Sequence, residues 1–327
     1  MTPHRALRAF LADRAIHAGF LAFVAIVFFV GAPAVAQAAP SAAAPVLAWQ
    51  TAAGGRMEFE VASVRPAAPG ASGRTNVEMG LEEGIVPADG RFSATGALSA
   101  YIKFAYRLSV FQNQADFSHV PKWVTTELFD IEAKAPAADA TKDQLRMMMQ
   151  SLLTDRFKLA AHFETRDVPV MALVLVKPGK VGPRLRPHSE GPACDAKIPP
   201  VDRNSPKIPD VFMPVCNVLN LLDWANHTVI LGSRNTTMDI FADWFPALER
   251  FDRPVVNQTG LTGRFDIELN FTPYWVIPKE QGGDAQLDFT GPTFFDALKG
   301  QLGMRLVSTH APVETLVVDH VEQPSPN

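Results

Sequence analysis

A chain of 327 residues, 47% of them hydrophobic, is long enough for two domains of ordinary size and has the apolar side chains to fill their cores. Its 30 basic and 34 acidic residues give a formal charge of −4; residues 1–36 hold three Arg and one Asp, so the remainder carries 27 basic against 33 acidic residues, or −6. No basic run follows residue 36, which argues against nucleic acid as a partner, since binding a phosphate backbone needs clustered Lys and Arg.

The N-terminus reads as an export signal. Arg5, Arg8 and Arg14 precede the twelve uncharged residues Gly19 to Val30, and Ala34-Val35-Ala36 supplies small residues for a signal peptidase. The apolar run is shorter than the ~20 residues needed to span a bilayer. The expected location is therefore periplasmic or secreted, with membrane contact only through this segment if it stays uncleaved. Residues 37–56, rich in Ala, Pro and Gly, read as a flexible tether.

The first folded unit, 57–177, opens with the alternating run Met57 to Val64, a strand closed by Arg65-Pro66. Arg91 to Ala94 predicts a short strand leading into a helix, in which Leu98, Ile102, Ala105 and Tyr106 form an apolar face. Phe129-Asp130-Ile131-Glu132 alternates apolar and acidic residues, the pattern of a strand with one face buried and one wet. Thr141 is placed to cap a second helix whose face is Leu145, Met148, Met149, Leu152 and Leu153. Met147, Met148 and Met149 point about 100° apart on that helix, so they suit core packing and cannot converge on one metal ion. Phe157 to Glu164 and Val168 to Lys177 predict a hairpin turning at Thr165-Arg166-Asp167.

Residues 178–228 read as a Pro-rich linker, with nine prolines between Pro178 and Pro214. This segment holds the only two cysteines, Cys194 and Cys216. In an oxidising compartment an even pair in an irregular segment is expected to form a disulfide, contributing about 3 kcal/mol in the chain-entropy model.

The second unit, 229–327, repeats the order of the first. Phe265-Asp266-Ile267-Glu268 restates Phe129-Asp130-Ile131-Glu132 at an offset of 136. Asn235-Thr236-Thr237-Met238 stands for Thr95-Gly96-Ala97-Leu98 at 140, and Ala311-Pro312-Val313 for Val168-Pro169-Val170 at 143. Its predicted elements are a helix on Ile240, Phe241, Trp244, Phe245 and Leu248 that Pro246 kinks, a short strand at Arg253 to Asn257, the strand Phe265 to Phe271, a helix over Thr293 to Leu302, and a closing hairpin of Met304 to Thr309 with Val313 to Val321. The fold class expected is α+β: two related units, each with two helices packed on a mostly antiparallel sheet, joined by the Pro-rich linker.

Motifs of chemistry are missing. There is no His-Glu-x-x-His, no Gly-x-Ser-x-Gly, no Ser-x-x-Lys, no phosphate loop and no dinucleotide fingerprint. His162 and Glu164 share a strand face but lack a third ligand nearby, so they read as a solvated face rather than a metal site. The pairs Asp130/Glu132 and Asp266/Glu268 could pass for acid/base couples, yet strand alternation explains them. Trp123, Trp224, Trp244 and Trp275 sit among apolar neighbours and read as core rather than as a groove lining. No catalytic, cofactor-binding or metal-binding residue is assigned, and no cofactor is expected.

Several stretches together resemble a known family: Phe59 to Pro66 after a signal peptide, Gly90 to Ala94, Pro121-Lys122-Trp123 before Phe129 to Ala133, Leu152 to Leu159, and Thr259 to Asp266. They look like the soil-associated bacterial family of unknown function, abundant in Acidobacteria, and the likeness covers nearly the whole mature chain. The resemblance implies an exported protein. The two cysteines fit it too, and some relatives carry this region beside a membrane metallopeptidase of the antibiotic-sensor type, whose His-Glu-x-x-His this chain lacks. The function expected is a non-catalytic periplasmic binding or interaction module whose partner is an envelope protein or ligand. The alternative is an envelope hydrolase with a site assembled from dispersed residues, which a polar pocket holding His162 or His227 beside carboxylates would favour.

Overall fold

The computed structural model describes residues 47–83, 86, 89–189, 216–223, 227–275 and 291–324, all within one unit, Ala43–Asn327. The expected leader, residues 37–46 of the tether, and Cys194 lie outside the described residues. The first half of the chain runs α1 (Ala48–Ala53), β1 (Val61–Pro66), β2 (Arg74–Thr75), β3 (Arg91–Ala97), α2 (Leu98–Ala105), β4 (Ala115–Asp116), α3 (Trp123–Thr126), β5 (Leu128–Lys134), α4 (Lys142–Phe157) and β6 (Ala160–Leu175). The second runs β7 (Leu185–Pro187), β8 (Asn220–Asp223), β9 (Val229–Thr236), α5 (Met238–Asp243), α6 (Phe245–Glu249), β10 (Val255–Asn257), β11 (Phe265–Phe271), α7 (Phe294–Ala297) continued by a π-helical turn Leu298–Leu302, and β12 (Met304–His320).

These strands form three four-stranded sheets, ordered β1-β5-β3-β2, β10-β6-β12-β4 and β7-β11-β9-β8. The protein is thus mixed α+β, with mostly antiparallel sheets and few helices. In the first sheet all pairs are antiparallel, and β5 lies between β1 and β3 with Phe129 opposite Pro66 and Gly96. In the third, β11 lies between β7 and β9 with Phe265 opposite Pro187 and Thr236.

Two apolar cores follow from these sheets. Phe92, Ala94, Phe129, Ile131 and Ala133 on one face of the first sheet meet Leu98, Tyr101, Ile102, Leu145, Met149 and Leu153 from α2 and α4. Phe265, Ile267, Leu269 and Phe271 of the third sheet meet Phe241, Phe245, Phe294 and Leu298. The middle sheet joins them. At one end of its long pair Leu316 and Val318 seal the first core, and at the other end Leu173 and Met304 seal the second.

Local signals formed the elements they predict. Thr141 accepts the Gln144 N–H at 3.2 Å while its own N–H donates to Gln144 Oε1 at 2.9 Å, a reciprocal cap that starts α4. Met147, Met148 and Met149 are all buried. Pro246 stands in the first turn of α6, where its missing N–H breaks no ladder, and the expected kink is a division into α5 and α6.

Both expected hairpins are absent. β6 runs unbroken through Thr165-Arg166-Asp167, β12 runs unbroken through Ala311-Pro312-Val313, and the two pair with each other from Met304 opposite Leu175 to His320 opposite Ala160. Neither predicted turn offers the Gly or Asn-Gly that a tight hairpin requires. Pro169 and Pro312 are tolerated because β10 reaches only Met171 to Leu173 and β4 only Leu316 and Val317, so each proline's second side has no strand to donate to.

Two stretches read as unstructured carry elements. The Pro-rich linker contains β7 and β8. The end of the tether forms α1, and Gln50 there donates to Gln150 Oε1 on α4 at 3.1 Å.

Candidate functional site

Alternation on β5 sends Phe129, Ile131 and Ala133 into the core and leaves Asp130, Glu132 and Lys134 on the opposite face of the first sheet. That face is open. Glu132, whose side chain is 55% exposed, accepts the Ser93 hydroxyl at 2.6 Å, and Asp130 accepts the Thr95 hydroxyl. Arg74 on β2 stands 3.6 Å from Asp130 and 3.7 Å from Glu132, at the long end of ion-pair distances. Asn76 braces the edge: its Oδ1 accepts the Ser93 N–H at 2.8 Å and its Nδ2 donates to the Arg91 carbonyl at 3.1 Å. Between these side chains lies a groove of about 700 Å³ with Val61, Ser63, Ser93, Glu132 and Lys134 in its lining, walled by the Asp89–Arg91 pair at 3.2 Å.

The third sheet treats the same four residues differently. All seven residues of β11 are buried, so the expectation that both acid pairs face water fails for Asp266 and Glu268. A carboxylate out of water needs cations and donors, and they are present. Asp266 accepts from His188 Nδ1 at 2.6 Å, from Arg234 Nε at 3.3 Å and from the Asn235 N–H at 3.1 Å. Glu268 accepts from Arg184 Nη1 at 3.1 Å. A register shift between Phe265 and Ile267 bulges β9, and Asn235, at φ 56°, turns its N–H onto Asp266. On the next pleat Asn270 donates to Thr228 Oγ1 and the Val229 carbonyl at 3.1 and 3.2 Å.

Most strongly shifted titratable groups lie outside the groove. Burial, followed by the Arg146 guanidinium beside it, holds Lys142 down at about 7. Its ammonium donates to the Glu82 carbonyl, while the Glu82 carboxylate accepts the Trp244 indole N–H. Arg146, 1% exposed, pairs with Asp143 and donates to the Gly80 carbonyl at 2.9 Å. Glu83 pairs with Arg264. Residues 77–83 thus form a strap tying α4 to the third sheet's side of the molecule. Next to it, burial raises Asp243 to about 6 against hydrogen bonds from Ser109 and Gln112 that favour its ionised form. Each of these groups serves packing.

His162 does gain the third neighbour that sequence could not supply, because β12 brings Asp319 to 2.9 Å from Nδ1 while Glu164 lies 3.3 Å from Nε2. Hydrogen bonds to the two carboxylates, Asp319 foremost, raise its pKa. Arg166 continues the chain by pairing with Glu164 and Asp116 at 2.9 and 3.0 Å. This row lies exposed on the middle sheet, and no group of three His, Cys, Asp or Glu among the described residues is arranged to hold a metal. Trp123 packs against Phe129 and Phe157, Trp244 is partly buried, Trp275 is 46% exposed, and Trp224 lies outside the described residues.

The cations that close the third sheet escaped the sequence reading, because Arg184 and His188 flank a three-residue strand inside the Pro-rich stretch. A signal existed: Leu185-Arg186-Pro187 restates Val64-Arg65-Pro66, and the two sit opposite Ile267-Asp266-Phe265 and Ile131-Asp130-Phe129.

Fold and site together define a mixed α+β protein in which the polar face of the first sheet is open and the acids of the third are closed in. The chain belongs to the family described as Protein of unknown function (DUF3738), which matches residues 99–321. No curated protein and no solved structure matches the chain.

Proposed function

We propose that the chain is an exported, non-catalytic binding or interaction module of the bacterial envelope, and that its ligand lies in the open groove of the first sheet. The observation that carries this is the contrast between the two Phe-Asp-Ile-Glu strands: one has its acids saturated from within, the other presents them beside a groove of about 700 Å³. Sheet edges and grooves bind extended peptides without chemistry. The export part rests on the N-terminal pattern, and the soil-bacterial source on the resemblance. A photo-crosslinking residue at Val61, in the groove, tests the reading, with one at Phe295 as the control. A discrete adduct from the producing bacterium's envelope at Val61 alone supports it; none at Val61, or equal labelling at both, overturns it.

The envelope-hydrolase reading draws on His162 between Asp319 and Glu164. Turnover of an envelope substrate that His162→Ala abolishes would establish it in place of the binding module.

We also propose that the two halves descend from one duplicated unit. Support comes from the matching strand orders, from Phe129 and Phe265 each standing within the first two residues of a strand second from the edge, and from the recurrence of Val64-Arg65-Pro66 as Leu185-Arg186-Pro187. A disulfide between Cys194 and Cys216 belongs to the same proposal of an oxidising compartment. Non-reducing peptide mapping of envelope-purified protein should recover the two cysteines in one linked peptide, and intact mass should lack residues 1–36.

A further inference from the structure

Resting on the groove assignment, we propose that the group the groove recognises is a guanidinium or ammonium, the side chain of a basic residue in an extended peptide. The third sheet is an internal template for how this strand pattern is completed. Along β7, Arg184 O accepts the Glu268 N–H at 3.1 Å, which sets Arg184 beside Glu268 just as the pairing of β1 sets Ser63 opposite Glu132. Arg184 then places its guanidinium 3.1 Å from the Glu268 carboxylate. Serine at 63 cannot supply that charge, and the volume an arginine would fill is part of the groove lined by Ser63 and Glu132.

The neighbouring position repeats the difference. In the third sheet Asp266 is met by His188 and by Arg234, which is 2% exposed. In the first, β1 sets Arg65 opposite Asp130 and β3 offers it the Thr95 hydroxyl, but the cation that pairs with it among the described residues is Arg74, at 3.6 Å with its side chain 60% exposed. Among the described residues, the two carboxylates on the groove's side of the sheet thus have hydroxyl partners and one guanidinium at the long end of ion-pair distances, where their counterparts hold three closer cations. Further along β5 the charge reverses: Lys134 lies opposite Arg91, which Asp89 engages. A peptide lying along β5 is therefore met by acids at the Asp130–Glu132 end and by a base at Lys134, so the basic side chain goes to the former. A bidentate guanidinium suits Glu132 best, since the Ser93 hydroxyl occupies only one of its oxygens.

The test titrates the mature full-length protein with blocked pentapeptides that are identical except for a central Arg, Lys, citrulline or Glu, and follows backbone amide shifts by NMR with affinity by calorimetry. The Arg and Lys peptides should shift the amides of Ser63, Ser93 and Glu132 and bind at least tenfold more tightly than the citrulline peptide. Glu132→Gln should abolish that preference. Ser63→Arg, which rebuilds the third sheet's arrangement at a half-buried position in the groove lining, should block binding with an unchanged circular dichroism spectrum. If the citrulline or Glu peptide binds in the groove as well as the Arg peptide, the charge assignment is wrong while the groove stands. If none of the four shifts the groove amides, both readings fall. Arg-peptide binding that survives both substitutions also overturns the proposal.

Discussion

The polar faces of the first and third sheets start from the same four residues and reach opposite outcomes. On β5, Asp130 and Glu132 stay in contact with water, whereas on β11, Asp266 and Glu268 are 6% and 2% exposed. The strand itself does not decide between them. The flanking segments do: β1 and β3 place Ser63, Arg65, Ser93 and Thr95 opposite the acids of β5, which take the hydroxyls of Ser93 and Thr95, while Arg184 and His188 beside β7 and Arg234 on β9 bond to those of β11. An acidic strand is thus a surface or a core element according to the cations beside it, because a carboxylate leaves water only when compensated.

The comparison can be broken at its shared core first. Phe129→Ala and Phe265→Ala should each cost about 3–5 kcal/mol of unfolding free energy, measured by urea denaturation, since both rings are buried. A loss under about 1 kcal/mol at either would mean that the two strands do not anchor their sheets alike.

The acids should separate where the phenylalanines agree. Asp266→Ala removes the buried carboxylate that accepts from His188, Arg234 and the Asn235 N–H and should cost about 3–5 kcal/mol, while Asp130→Ala, with a side chain 34% exposed, should cost under about 1 kcal/mol. Equal costs in the same urea titrations would erase the distinction between a closed and an open face.

Acid should strengthen the junction beside the strap. Asp243 has a folded-state pKa raised from 3.8 to about 6 by burial, so the folded form holds its proton more tightly than the unfolded one. Its contribution is most favourable below about pH 4 and declines as pH rises to about 6, by on the order of 3 kcal/mol. Asp243→Asn should flatten that part of the stability profile relative to wild type in parallel melts at pH 4 and 6.5. Identical slopes would show that the carboxyl titrates normally in the fold.

The smallest effect is at the helix starts. Thr141→Ala removes the hydroxyl that accepts the Gln144 N–H and should cost about 1 kcal/mol; Thr237→Ala, which loses a 3.3 Å bond to the Ile240 N–H at the shorter α5, should cost less. Thermal melts of the two variants would rank them.

What could be read from residues alone was local. β5, β11 and α4 were visible because alternation, helical spacing and a capping threonine act within a few positions. β7 was hidden by its three-residue length among prolines, and with it the cations for β11. The β6–β12 pairing was hidden for another reason: Leu175 opposite Met304 and Ala160 opposite His320 are contacts that no window of sequence contains. The two hairpins read in its place were local solutions to a long-range pairing. The open groove was beyond reach as well, since it is defined by which side chains a neighbouring strand does not carry.

The β6–β12 ribbon has a kinetic consequence. β6 ends at Leu175, and its partner begins at Met304, so the long pair cannot start to zip until nearly the whole chain is available. β4, in the first half, must wait for Leu316 and Val317, and β10, in the second, docks on Met171 to Leu173. Neither half can complete its own edge. Contacts of such sequence separation make folding slow, because loop closure is paid before the contacts form. The ribbon therefore acts as a timer: the middle sheet sets last, after the C-terminal strand has emerged, and a chain truncated before Met304 should persist as an open, protease-sensitive form.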